Sequence, residues 1–436
     1  MHEILSSVKN YEKCMERQGQ LMKIAAIIAE YNPFHNGHEY MVKKIRQETD
    51  ADYIIAVMSG DFTQRGVPAI TDKFTRAKMA VLCGVDAVFE LPVVYATAGA
   101  EGFAYGAVSL LHGLGCFNYL VFGSECGDIR PFHEVSDFLQ KEPEHFKKSL
   151  LKYQKLGFSY PKAFSLAIKE SELEAEDSLE LLSSPNNLLG LEYMKALKQL
   201  SSSIEPITIS RIGTGYHDTH TEFCAEAGTD IASASAIRTK LETTTGTIAS
   251  AMPLMPEAAY KIFTENYGTA APVVLDDFSL LLSYRLSLET RESLTTYLDV
   301  SSDLADRIMK YRDEFCLFSD FIAKLKHKQY THTRITRALL HVLLGITKEL
   351  ASIADAPYAR LLAMKKCASP LMKELKVNAQ IPVITKAADA KKVLSEDALL
   401  LFNLDTASAN LYRKVTANKF HSEFMQDIKH SAEIII

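Results

Sequence analysis

Residues 23–46 read KIAAIIAEYNPFHNGHEYMVKKIR, and this stretch decides the fold. The apolar run Ile24–Ala29 has the length and bulk of a buried parallel strand. Asn32-Pro33 breaks the strand, and Gly37 permits close approach of the backbone to a ligand. A helical pattern follows at once, with Met41 and Ile45 on one face and Lys43, Lys44 and Arg46 on others. His35-Asn36-Gly37-His38 therefore sits at a strand–turn–helix junction, where doubly wound sheets bind phosphates. Attack on an α-phosphate builds charge on the phosphoryl oxygens and on the departing pyrophosphate. Two imidazoles at a helix N-terminus can donate hydrogen bonds to that charge while carrying little of their own at rest.

Outward from this stretch the pattern repeats. Tyr53–Gly60 is a second apolar strand opening into the polar loop Asp61-Phe62-Thr63-Gln64-Arg65-Gly66, and a helix over 71–82 follows. Asp86–Pro92 and Tyr119–Glu125 are further strands flanking a helix over 100–114, and Gly123 offers bare backbone to a base or ribose. This alternation predicts a parallel sheet with right-handed crossovers. Residues 128–199 read as a charged helical insertion, near whose end Asn186 and Asn187 place two side-chain amides in a turn. A fifth strand over 204–209 delivers Arg211. Ser233-Ala234-Ser235-Ala236-Ile237-Arg238 then sets serines at a helix start with a guanidinium one turn later, a phosphate-binding arrangement. Together with His35 and His38, Ser233, Ser235 and Arg238 bracket one triphosphate. His217 and His220 lack a third ligand nearby and read as a polar loop beside that site rather than a metal pair.

Strands are expected to end near Ser250, which divides the chain into an extension over 1–21, a nucleotide domain over 22–250 and a mainly helical region over 251–436. Within the last, Phe321–Lys348 holds six Lys/Arg and three His without one acid, in a chain of net charge −6. Arg334, Arg337 and His341 fall on one helical face, with Ile335, Leu339, Val342 and Ile346 as the buried stripe. Tyr330 adds an aromatic able to stack on an unpaired base. Lys324, Lys326, Lys328, Tyr330, Arg334 and Arg337 are thus candidate RNA contacts. A small-molecule transferase would need none of them.

Composition excludes several classes. With 47% apolar and 23% charged residues the chain is globular, and no stretch is long and apolar enough to span a bilayer. Seven cysteines without a C-x-x-C pair argue against a disulfide framework or structural zinc and fit a reducing cytoplasm. Residues 1–21 lack the apolar core of a signal peptide.

The pair His35-Asn36-Gly37-His38 and Ser233-Ala234-Ser235-Ala236-Ile237-Arg238 resembles the H-x-G-H and S-x-x-x-I-R motifs of the nucleotidylyltransferase superfamily. Residues 30–38, Ser59–Gly66, Phe122–Glu125, Ser184–Asn187, Arg211-Ile212-Gly213 and Tyr330–Arg337 together resemble the bacterial tRNA(Met) cytidine acetate ligase family. The resemblance runs from Met22 nearly to the C-terminus; Val67 departs from it, standing where an acid is expected. Enzymes of that family activate acetate with ATP as acetyl-adenylate, then acetylate N4 of the wobble cytidine of elongator tRNA(Met). The resemblance implies that His35 and His38 steady the phosphates. It implies that Ile28, Ala29, Glu30, Tyr31, Asn32, Pro33, Phe34, His35, Asn36, Gly37, His38, Glu39, Tyr40 and Met41 wrap ATP. It also implies ATP contacts from Gly123, Asn186 or Asn187, and Arg211.

The expected architecture is thus α/β, a Rossmann-like nucleotidylyltransferase domain followed by a helical region presenting tRNA. Magnesium is expected to accompany ATP, and no resident metal site is read from the sequence. One rival is a small-molecule adenylyl- or cytidylyltransferase, which leaves roughly half the chain without a purpose. Another is an RNA-binding protein with a vestigial nucleotide fold, against which His35, His38 and Arg238 stand.

Overall fold

The computed structural model describes residues 22–141, 143–158, 160–170, 181, 184–211, 222–224, 227–242, 248–327, 330–353 and 355–436. The extension over 1–21, the loop holding His217 and His220, and Lys328 lie outside the described residues.

Strand β1 (Ile24–Ala29) is central because both of its faces are apolar: Ile24 and Ala26 enter one core, Ala25 and Ile27 the other. It pairs in parallel with β2 (Tyr53–Ser59) on one side and, through Ala25 and Ala26, with β4 (Tyr119–Ser124) on the other. Strand β3 (Ala87–Leu91) lies outside β2, and β5 (Glu205–Ser210) outside β4. The connecting helices are α1 (Asn36–Thr49), α2 (Lys73–Leu82) and α3 (Ala100–Leu114). Chain order reverses between β1 and β4, so their carboxyl ends flank the switch-point crevice where such sheets hold ligands.

The insertion is helical: α4 (Arg130–Lys141), α5 (Glu144–Lys155), α6 (Tyr160–Lys169) and α7 (Pro185–Gln199). Phe132 and Phe146 carry it into the same core as Phe122 of β4. A hairpin of β6 (Glu222–Cys224) and β7 (Thr229–Ile231) then leads into α8 (Ala234–Glu242).

Strands do not end near residue 250. Helices α9 (Glu257–Asn266), α10 (Ser279–Leu288), α11 (Ser302–Tyr311), α12 (Phe318–Leu325) and α13 (His332–Leu344) are followed by β8 (Ala359–Lys365), which pairs antiparallel with β3. Strands β9 (Val383–Ile384) and β10 (Glu433–Ile435) flank β8, giving the order β10-β8-β3-β2-β1-β4-β5. Residues 251–436 are mainly helical, yet they complete the sheet that residues 22–250 begin.

Strand β8 carries Arg360, only 2% exposed, which disguises it as a basic segment. Its charge is met by Asp427 and by Glu90 at 3.5 Å, and Lys73 joins the same buried cluster through Glu90 (2.7 Å) and Asp427 (3.1 Å). Buried charges persist only when paired in this way. The long helix α14 (Glu396–Phe420) closes the structure over the strand ends: Tyr412 Oη donates to Ala69 O at 2.7 Å, and Val93 N donates to Asp405 at 2.7 Å. Among the described residues no helix is long and apolar enough to cross a membrane.

Candidate nucleotide site

The loop after β1 is shaped from beneath by Arg76 of α2, which is fully buried. Its guanidinium donates to Thr71 O (3.0 Å), Glu30 O (2.6 Å), Ser59 O (3.1 Å) and Gly60 O. One side chain thus ties together the carboxyl ends of β1 and β2 and satisfies carbonyls that the sheet leaves unpaired. The chain then turns through Tyr31, a non-glycine residue at φ +47°, and the cis Asn32-Pro33 bond. Ile70 N donates to Asn32 Oδ1 at 2.8 Å, and Arg238 of α8 donates to Asn32 O at 2.7 Å. The Ser-Arg motif therefore grips the loop that precedes the histidines, bringing Arg238 and the H-N-G-H turn together.

His35 is the N-cap of α1, and its Nδ1 accepts from Gly37 N at 3.1 Å; His38 Nδ1 accepts from His35 N at 3.2 Å. This is a capping box built from two imidazoles, whose rings stack with centroids 3.7 Å apart. A Cβ on Gly37 would stand 3.1 Å from His35 Cε1, so that glycine makes room for the His35 ring folding back over the helix. Because each Nδ1 accepts a backbone N–H, the proton of each neutral ring resides on Nε2, which is left as a donor. Burial, reinforced by Arg211 and Arg238, pushes His35 down to about 3. His38 is held well below the ordinary histidine range by burial, by His35 and by Arg211. The pair is neutral at physiological pH and able to donate without bringing cations.

Other members of 28–41 form the frame. Tyr31 and Phe34 are buried, and their rings pack on His38 at 4.9 and 5.4 Å. Asn36 Nδ2 reaches Thr229 Oγ1 (3.0 Å), Asp230 O and Pro253 O (both 2.8 Å), anchoring α1 to the β6–β7 hairpin. Met41 is buried and closes on Gly123, whose Cβ would stand 2.9 Å from Met41 Cε and 3.0 Å from Arg211 Cγ. Arg211 N donates to Ser124 O at 2.9 Å, Glu125 N to Asn187 Oδ1 at 2.9 Å, and Asn186 Nδ2 to Glu125 Oε1 at 2.6 Å. Gly123, Asn186, Asn187 and Arg211 thus meet at the end of β4. Ser233 Oγ accepts from Ala236 N at 3.1 Å as a helix cap, and Ser235 is exposed on the first turn of α8.

Desolvation lowers the guanidinium groups of Arg211, Arg238 and Arg65 from the ordinary arginine range; Glu125 opposes this at Arg211, and Glu30 at the other two. Arg211 has solvent along part of its length, but its charge lies among protein atoms. Gln64 N donates to Glu30 Oε1 at 2.9 Å, which fastens the Gln64-Arg65 loop to the end of β1. The crevice between β1 and β4 is therefore lined by imidazole donors and guanidinium groups, the equipment for a polyphosphate. Among the described residues no three His, Cys, Asp or Glu side chains gather where they could hold a metal ion.

The basic segment is placed differently from its sequence reading. Tyr330 is 7% exposed, its hydroxyl lies 2.6 Å from Ser301 Oγ, and Arg334 covers its ring at 5.0 Å, so it offers no open face to a base. His341 is buried between Leu298 O (3.0 Å) and Thr97 O (3.1 Å), and Arg337 Nε donates to Asp299 at 2.8 Å. Lys324 pairs with Glu314. The acids lie outside the acid-free window, which is why the window looked unpaired. The apolar stripe Ile335, Leu339, Val342 and Ile346 is buried as expected. Lys326 is exposed and Arg334 partly so. In the sequence Arg76 reads only as one of three charges, with Lys73 and Lys78, on the helix over 71–82; on an amphipathic helix it looks like a surface charge, and only burial distinguishes it.

Residues 22–427 match the HIGH Nucleotidyl Transferase family. The chain is 37% identical over 413 residues to a tRNA(Met) cytidine acetate ligase of Clostridium perfringens, spanning 93% of this chain and 98% of that one. It is 38% identical over 395 residues to a protein of the same name from Lysinibacillus sphaericus, spanning 90% and 94%. Among solved structures it is similar to Thermotoga maritima TmcAL in its apo form, with a TM-score of 0.88, 29% identity and coverage of 95% of this chain and all of that one. It is also similar to the same protein bound with alpha-thio ATP, with a TM-score of 0.86, 30% identity and the same coverage.

Proposed function

Because this chain belongs to the HIGH nucleotidyl transferase family and, within it, to the tRNA(Met) cytidine acetate ligases, we propose that it activates acetate with ATP and acetylates N4 of the wobble cytidine of elongator tRNA(Met). The observation that carries this reading is the pairing of two neutral, Nε2-protonated imidazoles at the start of α1 with Arg238, whose guanidinium holds the preceding loop. ATP lies in the β1–β4 crevice, its phosphates between α1 and α8 and its nucleoside toward Gly123. An acetate oxygen attacks the α-phosphorus, the bond to the β-phosphate oxygen breaks, and pyrophosphate departs. His35 and His38 donate to the charge that grows on the phosphoryl oxygens, and Arg211 and Arg238 balance the leaving group. The cytosine amine then attacks the acetyl carbon of the mixed anhydride, and AMP leaves with the electron pair as the amine loses a proton. No covalent bond to the enzyme is needed.

Magnesium enters with the triphosphate as part of the substrate, in keeping with a site whose nearest carboxylates, Glu30 and Glu125, already accept from Gln64 and Asn186. Lys326, which is exposed, and Arg334, partly so, meet tRNA phosphates, whereas Lys324 and Arg337 are engaged in ion pairs. The reaction is assigned to the cytoplasm, where six described cysteines remain as free thiols. Acetate-dependent exchange of labelled pyrophosphate into ATP tests the first half-reaction: exchange that requires acetate supports the reading, and exchange indifferent to it removes acetate from the chemistry.

A further inference from the structure

Around the crevice the fixed charges face one way. His35, His38, Arg211 and Arg238 supply donors or positive charge, as a polyphosphate requires. Two carboxylates stand against them: Glu30, which accepts from Gln64 N at the end of β1, and Glu125. Glu125 follows β4 directly and is exposed, yet its position is fixed twice: Asn186 Nδ2 donates to its Oε1 at 2.6 Å, and its backbone N–H donates to Asn187 Oδ1 at 2.9 Å. Both asparagines belong to the first turn of α7, where Ser184 makes no side-chain cap, so they are spent on Glu125 rather than on the helix. Among the described residues no other hydrogen-bond donor reaches this carboxylate. Two residues earlier, Gly123 is roofed by Met41 and Arg211, which places Glu125 on the same rim.

A carboxylate held at that rim repels phosphate, and its remaining lone pairs are open to accept from a ligand's donors in place of water. A nucleotide meets both conditions at its neutral end alone. We propose that Glu125 is a specificity-determining residue that accepts hydrogen bonds from the uncharged donors of the nucleoside, the ribose hydroxyls or the exocyclic amine of the base. This rests on the ATP reading of the site and fixes the direction in which ATP lies: phosphates over α1 and α8, nucleoside toward α7.

Glu125→Gln keeps the acceptor for Asn186 and removes the charge, so it isolates the carboxylate from its structural neighbours. The full-length wild type and variant are compared in acetate-dependent pyrophosphate exchange with ATP, 2′-deoxy-ATP, 3′-deoxy-ATP and inosine triphosphate, with melting temperature recorded alongside. The expected result is a KM for ATP raised on the order of tenfold to a hundredfold, with kcat little changed and the melting temperature preserved. The wild type should discriminate against one analogue class by a similar factor, and the variant should lose that discrimination. Lost discrimination against the deoxy analogues assigns Glu125 to the ribose; lost discrimination against inosine triphosphate assigns it to the amine. An unchanged KM and an unchanged analogue pattern, or a uniform loss accompanied by a lower melting temperature, would reduce Glu125 to an anchor for α7. Wild-type enzyme that binds no adenine nucleotide would overturn the function itself, whereas wild type that uses ATP beside an indifferent variant overturns only this assignment.

Discussion

Gly66 lies flat against the backbone of Arg337. Its φ is +75°, and a Cβ there would stand 2.5 Å from Arg337 N and 2.7 Å from Arg337 Cα. The loop that Gln64 fastens to the end of β1 is therefore packed directly on α13, so the nucleotide crevice and the basic helix share one seam.

Gly66→Ala adds both a strained φ and a backbone collision, with no flexible side chain to give way. The variant should lose about 2 kcal/mol of stability or more, read as a lower urea midpoint. Acetyl transfer should fall further than pyrophosphate exchange, because the substitution separates the loop from α13. A fully stable variant with equal effects on both steps would show that the seam does not matter.

Arg76→Met leaves the carbonyls of Glu30, Ser59, Gly60 and Thr71 without their buried donor. The expected cost is about 3 kcal/mol or more, and the surviving folded protein should bind ATP weakly because the loop before His35 is no longer held. Chemical denaturation with nucleotide titration checks both. Wild-type ATP affinity in a destabilised protein would confine Arg76 to the core.

The depressed histidines make stability depend on pH. Burial pushes His35 of the folded chain down to about 3 from the 6.5 of an unperturbed ring, so between these values the unfolded chain binds more protons than the folded one. The contribution is complete above about pH 6.5 and is lost as pH falls, at up to about 1.4 kcal/mol per unit for each such histidine. His35→Gln should flatten the decline in denaturation midpoint between pH 7 and pH 5. The same slope in wild type and variant would contradict the neutral, buried assignment.

Sequence exposed the first five strands because they are largely apolar runs that punctuate themselves: Ile24–Ala29 is found where the pattern puts it, and His35 and His38 follow it. Strand β8 stayed hidden because Arg360 interrupts it, and the acids that neutralise Arg360, Glu90 and Asp427, are distant in sequence. The basic segment misled for the converse reason. Its apparent freedom came from a window that excluded Asp299 and Glu314. Motif spacing placed Arg238 near the phosphates but carried no sign that it would grip Asn32 O, a contact made by folding alone.

With Arg337 held by Asp299 and Lys324 by Glu314, Lys326 and Arg334 are the described cations between 324 and 337 that stand outside an ion pair. Replacing both by Ala should leave pyrophosphate exchange intact and weaken tRNA binding. The salt slope should fall by about one unit for each tRNA phosphate that the variant no longer neutralises. Filter binding at several salt concentrations measures this, and an unchanged slope would move the RNA interface elsewhere.

On this reading one crevice makes an acetyl-adenylate, which tRNA then consumes. Full-length enzyme is incubated with ATP, labelled acetate and elongator tRNA(Met), and the tRNA is digested to nucleosides for mass spectrometry, with AMP and pyrophosphate quantified. Label is expected in acetylated cytidine at the wobble position, with one AMP and one pyrophosphate released per acetyl group, and all three are expected to be lost in His38→Ala. Pyrophosphate release coupled to nucleotidyl transfer onto a small molecule, with unlabelled tRNA, would contradict it.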